Sequence, residues 1–377
     1  MQQLSPDEEQ AARASFPPDD APTLMEDHLW RIPLPLPFAL REVNVYLIGD
    51  GAGHWTLVDA GLGLARDEAA LRAGLAVAGV PLEAISALVL THAHPDHVGL
   101  SGLIHEASGA PVYMLNREDE ILYHVWGEPG AAALRAIGVN FAQHGLDLGE
   151  RDADPRLTAT RAASREATRA VARPNGFSLP PRAAMRTLED GAALSLGRWR
   201  YQVIWTPGHS DYHMCLLRED GFFIAGDHIL PAITPNIGLY PDARPDPLAD
   251  YYASLAKVRD LPARIVAPGH GLPFADLATR ADALRDHHIE RSGLIFALVA
   301  AQPAGATAND IASDLFGARL RSVDDRRFAL AETLAHLEHL RARGRVSRER
   351  RDGLYRYFAA AAPGAEQPTD DRQTPTP

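Results

Sequence analysis

The sequence has too few cysteines to form a disulfide bond within the chain. Cys215 is the single cysteine among 377 residues, which excludes an intramolecular disulfide framework. It lies in the apolar run from His213 to Leu217, so we expect a buried and unreactive thiol. Long apolar runs are missing as well, because none reaches about 18 residues, the length that a membrane-spanning helix requires. We therefore expect no membrane span.

The N-terminus lacks the basic segment and apolar stretch of a signal peptide. Residues 1 to 22 are instead acidic and rich in Gln, Ala and Pro without a clear period, which is typical of a flexible arm. We therefore expect a cytoplasmic protein. The chain also lacks an excess of positive charge, since its formal net charge is −12. This balance argues against non-specific binding of nucleic acid or membrane by the surface as a whole.

Histidine is concentrated in one short stretch, Thr91 to Gly99, with the sequence THAHPDHVG. An apolar run, Ile85 to Leu90, precedes it and a small-residue pattern follows, which predicts a buried strand, a tight loop and then a helix. Imidazole and carboxylate groups together suit zinc, manganese or iron. Adjacent Asp96 and His97 cannot easily reach an ion held by His92 and His94, so the spacing suggests two neighbouring ions.

Four further motifs occur along the chain, one before the histidine-rich stretch and three after it. They are Leu57-Val58-Asp59-Ala60-Gly61, Thr206-Pro207-Gly208-His209-Ser210, Gly226-Asp227-His228 and Ala267-Pro268-Gly269-His270-Gly271. Together with the histidine-rich stretch, they resemble the metallo-β-lactamase superfamily of binuclear hydrolases over roughly residues 30 to 275. The resemblance is specific for fold and metal and says little about the substrate.

The resemblance implies a complete set of ligands for two divalent metal ions, with zinc expected first and manganese or iron as alternatives. The first ion is expected at His92, His94 and His209; the second at Asp96, His97 and His270; and Asp227 bridges both. A water between two cations loses its proton near neutral pH and becomes the nucleophile. Asp96 has a second, catalytic role in the resemblance: it orients this nucleophile and moves a proton to the leaving group.

Other residues are expected to support the ligands or to touch the substrate. Asp59 and His228 are expected to brace the ligands from behind, although Asp59 could also be a turn residue at a strand end. His213 is interpreted as a packing residue and not as a ligand. Tyr212, Asn236 and Tyr251 are the candidates for lining the substrate pocket.

Strand and helix patterns predict an α/β fold, a four-layer αββα sandwich over residues 23 to 300. Hydrophobic residues make up 46% of the chain, enough for a sizeable core. Residues 116 to 182 interrupt the strand rhythm and are rich in Ala, Arg and Glu, which predicts a helical cap inserted in the sandwich. Arginines recur there at every fourth residue, which places them near one face of a helix: Arg161, Arg165, Arg169 and Arg173. This face is either solvated or part of a cap that attracts an anionic substrate.

The C-terminal part predicts a small winged-helix-like domain over residues 303 to 360. Thr307 to Phe316 and Phe328 to Arg343 are expected to be helices, and Val346 to Tyr357 a two-stranded wing around Asp352-Gly353. His287-His288 lie in the long helix before this domain; packing or solvent exposure is the favoured interpretation, and facing the metal site is the alternative. Residues 361 to 377 are rich in Pro, Thr, Asp and Gln and are expected to be disordered.

The favoured function is hydrolysis of a small-molecule ester, thioester or lactone. The alternative is an endoribonuclease, a phosphodiesterase or a nucleic-acid-binding protein, because the wing is basic: Arg341, Arg343, Arg345, Arg348, Arg350, Arg351 and Arg356. Against it, the adjoining helix carries acidic residues, which would face phosphate unfavourably. We therefore expect a small-molecule substrate and weak, non-specific nucleic-acid binding at most. The wing is expected to pack on the catalytic domain or to form a homodimer.

Overall fold

The computed structural model describes residues 21–37, 40–127, 130–147, 177–320 and 322–360. Within these ranges, the first sheet has seven strands in the spatial order β1-β2-β3-β4-β5-β6-β7. Their bounds are Thr23–Glu26 (β1), Leu29–Pro35 (β2), Glu42–Gly49 (β3), Trp55–Val58 (β4), Ile85–Val89 (β5), Val112–Leu115 (β6) and Met185–Leu188 (β7). The pairs from β1 to β4 are antiparallel, and those from β4 to β7 are parallel.

The second sheet of the described chain has five strands in the order β12-β11-β10-β9-β8. Their bounds are Ala193–Leu196 (β8), Trp199–Trp205 (β9), Met214–Arg218 (β10), Phe222–Gly226 (β11) and Ile265–Pro268 (β12). The pairs β8–β9, β9–β10 and β10–β11 are antiparallel, whereas β11 and β12 are parallel. Strands β9, β11 and β12 therefore end at the same edge of the sheet.

The proline-rich part of β2, after Arg31, lies at the edge of the first sheet. Prolines disfavour a central strand because they lack a donor, yet β2 pairs with β3 from Leu29 to Pro35. On its other side, β2 pairs with β1 only as far as Arg31. Beyond Arg31 the strand is therefore an edge strand, where a missing donor leaves no partner unsatisfied.

The helices of the described chain cover the outer faces of the sheets and form the C-terminal region. Their bounds are Ala65–Val77 (α1), Pro95–Val98 (α2), Ser101–Ser108 (α3), Glu118–Trp126 (α4), Gly130–Gln143 (α5), Pro247–Arg259 (α6), Leu277–Ala300 (α7), Ala308–Phe316 (α8) and Val323–Ala342 (α9). None of them is long and apolar enough to cross a membrane.

Three hydrophobic clusters define the layers of the sandwich. Side chains such as Val58, Val89 and Ile224 fill the space between the two sheets. The outer face of the first sheet packs against α1 and α3, and that of the second packs against α6 and α7. The predicted four-layer αββα arrangement is confirmed, with a core on both faces of each sheet.

The predicted insertion is only partly within the described residues. Helices α4 and α5 occupy its first part, and Phe141 of α5 is buried together with α7 and α9. Residues 148–176 lie outside the described chain, and so do the four arginines from Arg161 to Arg173. The cap and the arginine stripe therefore stay predictions, as do the arm over residues 1–22 and the tail over 361–377.

The C-terminal region contains the predicted helices and the predicted hairpin, here Val346–Arg351 (β13) and Leu354–Ala359 (β14). The turn between them is Asp352-Gly353, and both residues have positive φ, 50° and 83°, as a tight two-residue hairpin turn requires. Helix α9 begins at Val323, earlier than expected, because Ser322 and Asp325 cap it reciprocally. A winged-helix relationship and the boundaries at 303 and 360 stay predictions.

The interpretation that the polar residues of α9 would face a phosphate backbone is wrong. The side chains concerned are almost completely buried, although two are carboxylates: Glu332, His336, Glu338 and His339. The helix packs against α6, α7 and β13, and these four side chains have hydrogen-bond partners within the described chain. Glu338, for example, accepts hydrogen bonds from Arg348 and Tyr357.

Candidate metal centre

The histidine-rich motifs meet at one edge of the sandwich because each follows the end of a strand. Asp59 follows β4, the stretch His92 to His97 follows β5, and His209 follows β9. Asp227 directly follows β11, and His270 comes two residues after β12. Since the carboxyl ends of β9, β11 and β12 share one edge, sequence-distant side chains converge there.

Three histidine nitrogens form the first group. His92 Nε2 lies 3.0 Å from His94 Nδ1, and His94 Nδ1 lies 2.8 Å from His209 Nε2. His94 therefore presents its Nδ1 atom, whereas the other two histidines present Nε2. The three nitrogens are close enough to one another to share a single ion.

The second group contains Asp96, His97 and His270, whose candidate ligand atoms also lie within 4.8 Å of one another. Asp96 Oδ2 is 3.4 Å from His270 Nε2 and 3.9 Å from His97 Nε2. Asp227 lies between the two groups. Its Oδ2 atom is 3.4 Å from His209 Nε2 and 3.2 Å from His270 Nε2, and its Oδ1 atom is 3.4 Å from His97 Nε2.

Several buried polar atoms of this arrangement have no hydrogen-bond partner within the described chain. They are His97 Nε2, His270 Nε2 and Asp227 Oδ1. Buried polar groups normally have partners, so orphaned nitrogen and oxygen atoms that face one another call for an ion. Gly269 leaves the space for it, because a Cβ at this position would lie 2.2 Å from Asp227 Oδ1. The donor set of imidazole and carboxylate fits divalent zinc, manganese or iron.

The electrostatics of the site also favour a bound cation. Burial and the neighbouring histidines lower the pKa of His92 well below its usual value, so its ring is neutral and can act as a ligand. Burial also lowers the pKa of His97, but Asp227, Asp59 and Asp96 outweigh it and raise that pKa well above the usual value. The same balance raises the pKa of His270 to about 10. The carboxylates thus stabilise positive charge at this place. Protons on His97 and His270 provide that charge when no metal cation is bound.

The Nδ1 atoms of three candidate histidine ligands each have a specific hydrogen-bond acceptor. His97 Nδ1 lies 2.8 Å from Asp59 Oδ2, His209 Nδ1 lies 2.9 Å from the Asn236 carbonyl oxygen, and His270 Nδ1 lies 2.6 Å from the Glu42 carbonyl oxygen. Donation from Nδ1 leaves each Nε2 lone pair directed into the site. Asp59 also accepts from the backbone and hydroxyl of Thr91, so it contacts both His97 and the start of the loop that carries His92.

Glu118 is a buried carboxylate that the sequence analysis missed. It accepts hydrogen bonds from the Ala93 amide at 2.8 Å, the Tyr212 amide at 3.1 Å and the Ser210 hydroxyl. It thereby joins the loop after β5 to the loop after β9. Burial raises its pKa to about 7. The available signal was its position three residues after β6, which runs parallel to the ligand-bearing β5.

His213 positions the central aspartate without facing the groups of ligand atoms itself. Its Nε2 atom accepts from the Asp227 amide at 3.1 Å, so Nδ1 carries the proton and donates to Thr206 Oγ1 at 2.8 Å. Gly226 makes this approach possible, because a Cβ there would lie 2.6 Å from His213 Nε2 and its φ is +48°. His213 is thus more than the packing residue expected from sequence.

The remaining candidates occupy different places. Tyr212 stacks on Trp205 with Arg117 over its ring, near the site but half-buried. Asn236 contacts the site through its backbone carbonyl. Tyr251 is fully buried, and its hydroxyl donates to the His228 carbonyl at 3.0 Å, so the expected substrate contact has no support in this position. The His228 ring is buried beside Tyr251 and has no hydrogen-bond partner in the described chain.

Comparison with known proteins agrees with this geometry. Residues 39–270 match the model of the metallo-beta-lactamase superfamily, and residues 294–360 match the model of the metallo-beta-lactamase-like C-terminal domain. A metallo-beta-lactamase family protein of Thermus thermophilus has a similar structure, with a TM-score of 0.74 and 35% identity over 89% of this chain and 100% of that chain.

Two relatives carry functional names. The probable metallo-hydrolase YqjP of Bacillus subtilis is 28% identical over 82% of this chain and 91% of its own length. The atrochrysone carboxyl ACP thioesterase of Aspergillus fumigatus is 25% identical over 77% of this chain and 73% of its own. With more than half of its length matching the family model, and with a structural relative above 30% identity along nearly its whole length, the chain belongs to the metallo-beta-lactamase superfamily.

Proposed function

We propose that this protein is a binuclear metal-dependent hydrolase of small carboxylic esters, with thioesters as the first substrate class. The observation that carries the proposal is the position of Asp227 between two groups of ligand atoms. One carboxylate has oxygens within 3.2–3.4 Å of nitrogens from both groups, as expected of a ligand shared by two ions.

In this proposal, His92, His94 and His209 hold one divalent cation, and Asp96, His97 and His270 hold the other. Divalent cations supply the Lewis acidity that activates water and polarises the scissile carbonyl group. The chain contributes orientation. Asp59, Asn236 and Glu42 hold the second nitrogens of three ring ligands, so these ligands enter the reaction already aligned.

Asp96 is the residue that we assign to proton movement. Its side chain is 17% exposed, against 8% for Asp227, so it is the more accessible of the two central carboxylates. An ionised carboxylate at this position can accept a proton from the attacking water and pass it to the leaving group. For a thioester, the C–O bond to the water oxygen forms and the C–S bond then breaks; the sulfur leaves with the electron pair of that bond and takes the proton from Asp96.

The choice of thioesters is supported by the fungal thioesterase relative and by the residues around the site. Tyr212, Trp205 and Arg117 form a stacked aromatic and cationic group beside the loop that carries His209. A cation next to an aromatic face suits an acyl chain ending in a carboxylate or a phosphorylated carrier.

A substrate panel on zinc-loaded protein tests the proposal. It contains acyl thioesters of N-acetylcysteamine, an N-acyl homoserine lactone, p-nitrophenyl esters, bis-p-nitrophenyl phosphate and a short RNA. We expect the highest kcat/KM for a thioester, loss of activity on chelation and recovery with zinc. Asp227→Asn should lower kcat/KM by at least about 10³-fold and lose at least one of about two zinc equivalents.

Asp286→Asn is the matched control, because Asp286 is an exposed residue of α7 that pairs only with Arg285 among the described residues. It should keep both the zinc and the activity. Preference for the phosphodiester or the RNA would replace the proposed substrate class by the nuclease class. An active Asp227→Asn protein that retains two ions would remove Asp227 from its bridging role.

A further inference from the structure

A second cluster of possible metal ligands lies outside the candidate metal centre, between α7 and α9. It consists of His288, Glu332 and His336, whose candidate ligand atoms all lie within 4.8 Å of one another. Glu332 and His336 are four residues apart on α9 and so project from one face of that helix. His288 approaches from α7, so two helices supply the three side chains.

The geometry of the two imidazoles fits a shared ion better than a hydrogen bond. His288 Nδ1 and His336 Nε2 are 3.3 Å apart, slightly beyond the 2.7–3.2 Å range of ordinary N–H hydrogen bonds. Two nitrogens bound to one tetrahedral zinc at 2.0–2.1 Å lie roughly 3.4 Å apart. The observed separation therefore matches a pair of zinc ligands.

The surroundings prepare these side chains for metal binding. Both rings are completely buried, and burial lowers the pKa of each, that of His288 to about 3, so they are neutral at physiological pH. His336 Nδ1 lies 2.8 Å from Ser292 Oγ, which can accept its proton and leave the Nε2 lone pair directed at His288.

Glu332 supplies the negative charge of the cluster. Its Oε1 atom pairs with Arg291 at 2.5 Å, and its Oε2 atom is 3.4 Å from Asn236 Nδ2. Carboxylates that bind metals are commonly hydrogen-bonded as well, so these contacts orient Glu332 without excluding an ion. Three protein ligands leave the fourth position of a tetrahedral site to water.

We propose that His288, Glu332 and His336 form an additional zinc site that fastens the C-terminal helix α9 to helix α7. An ion at this place would link the two helices, since its ligands are buried in their packed interface. The site also adjoins the catalytic centre, because Glu332 contacts the side chain of Asn236 and the Asn236 carbonyl accepts from His209. An ion there would fix the position of α9 relative to the segment that contains Asn236.

Zinc content of the full-length protein tests this proposal. Metal-free protein is reloaded with zinc, passed over a chelating resin, and measured by mass spectrometry of the metal. We expect the variant His288→Gln/His336→Gln to retain one zinc equivalent less than the wild type. Zinc should also raise its melting temperature less than that of the wild type. The experiment compares the zinc content of the wild type with that of the double variant. It therefore reports on this site whether or not the candidate metal centre binds two ions.

His339→Gln is the matched control, since His339 is another buried histidine of α9 and pairs with Asp246. It should keep the wild-type zinc content. Equal zinc in the wild type and the double variant overturns the proposal. Should the double variant not fold, anomalous diffraction at the zinc edge decides on wild-type crystals. A peak between His288 and His336 is expected, and its absence from crystals soaked in zinc overturns the proposal equally.

Discussion

At the scale of single residues, the candidate centre depends on carboxylates with different tasks. Asp227 faces both groups of nitrogen atoms, Asp59 holds a ring from behind, and Glu118 contacts no candidate ligand side chain. Glu118 accepts three hydrogen bonds from two loops that carry ligands. A buried carboxyl in this position fixes the distance between the loops, and its removal would leave one buried and two partly buried donors without this acceptor.

Glu118→Ala is expected to destabilise the metal-free protein by at least about 2 kcal/mol at pH 5. The pKa of Glu118 is raised from 4.5 to about 7 in the folded protein. A carboxyl with a raised folded pKa stabilises the fold fully below pH 4.5, and this contribution declines as the pH rises to about 7. The difference between wild type and variant should therefore shrink between pH 5 and pH 7.5, as measured by urea unfolding in chelator.

Glu120→Ala is the control for this experiment, because Glu120 lies on the same helix turn and is exposed. It should change the unfolding free energy little and without pH dependence. A Glu118→Ala effect of constant size across this pH range would contradict the assigned pKa.

At the scale of elements, helix α9 reaches the candidate centre through one asparagine. The Asn236 side chain donates to the Phe328 carbonyl at 3.3 Å and to Glu332 at 3.4 Å, both on α9. Its own carbonyl accepts from His209 Nδ1 at 2.9 Å. The C-terminal helix therefore helps to fix the segment that orients one candidate ligand.

Asn236→Ala should weaken zinc binding about tenfold while leaving the fold intact, because residues that orient metal ligands typically contribute this much to affinity. Competition with a fluorescent zinc chelator measures the change. Gln302→Ala removes a comparable amide–carboxylate hydrogen bond, to Asp314, and should have no effect on zinc. Unchanged zinc affinity in Asn236→Ala would show that the carbonyl is held without help from α9.

At the scale of the whole molecule, the insertion and the C-terminal region are packed together. Phe141 and Leu146 of the insertion share a hydrophobic cluster with α7, α9 and Tyr357 of the hairpin. Since α4 carries Glu118, deletion of the entire predicted cap would also damage the centre. The segment from 148 to 176 is the part that a deletion can remove selectively.

Replacing residues 148–176 by a short Gly/Ser linker should leave zinc content near the wild-type value and raise KM for the best substrate severalfold. The reason is the prediction that this segment belongs to a cap that contacts the substrate and no metal. A linker of equal length and neutral sequence separates loss of contacts from a change in chain length. Unchanged KM in both variants would remove the segment from substrate selection.

Nucleic-acid binding should be micromolar or weaker at physiological salt and independent of sequence. Polar residues of α9 are buried, and several arginines of the hairpin have partners in the chain: Arg348 pairs with Glu338, and Arg351 pairs with Glu349. Paired cations release fewer counterions on binding phosphate. Fluorescence anisotropy with a DNA duplex and a short RNA measures this, and tight binding to one sequence would contradict it.

Much of this protein was predictable from the sequence because its signals are local. The motif from His92 to His97 follows an apolar strand run, and the glycine-histidine motifs at His209 and His270 follow two more. Strand and helix patterns therefore predicted the strands that carry the candidate ligands and the four-layer sandwich. The candidate ligand set came from the resemblance of the motifs to the superfamily, and it stays a prediction. The hairpin at Asp352-Gly353 was predictable for the same reason, since two adjacent residues determine its turn.

Only the tertiary structure decided which distant groups meet. The partnership of Glu118 with Ala93 and Ser210, the contact of α9 with Asn236, and the cluster of His288 with Glu332 and His336 join segments far apart in sequence. Periodicity marks a residue as polar, but it does not tell whether a polar helix face meets water or another helix. The sequence determined the position of each candidate ligand along the chain. Packing determined which groups hold that side chain in place, because burial and hydrogen-bond partners are properties of the folded structure.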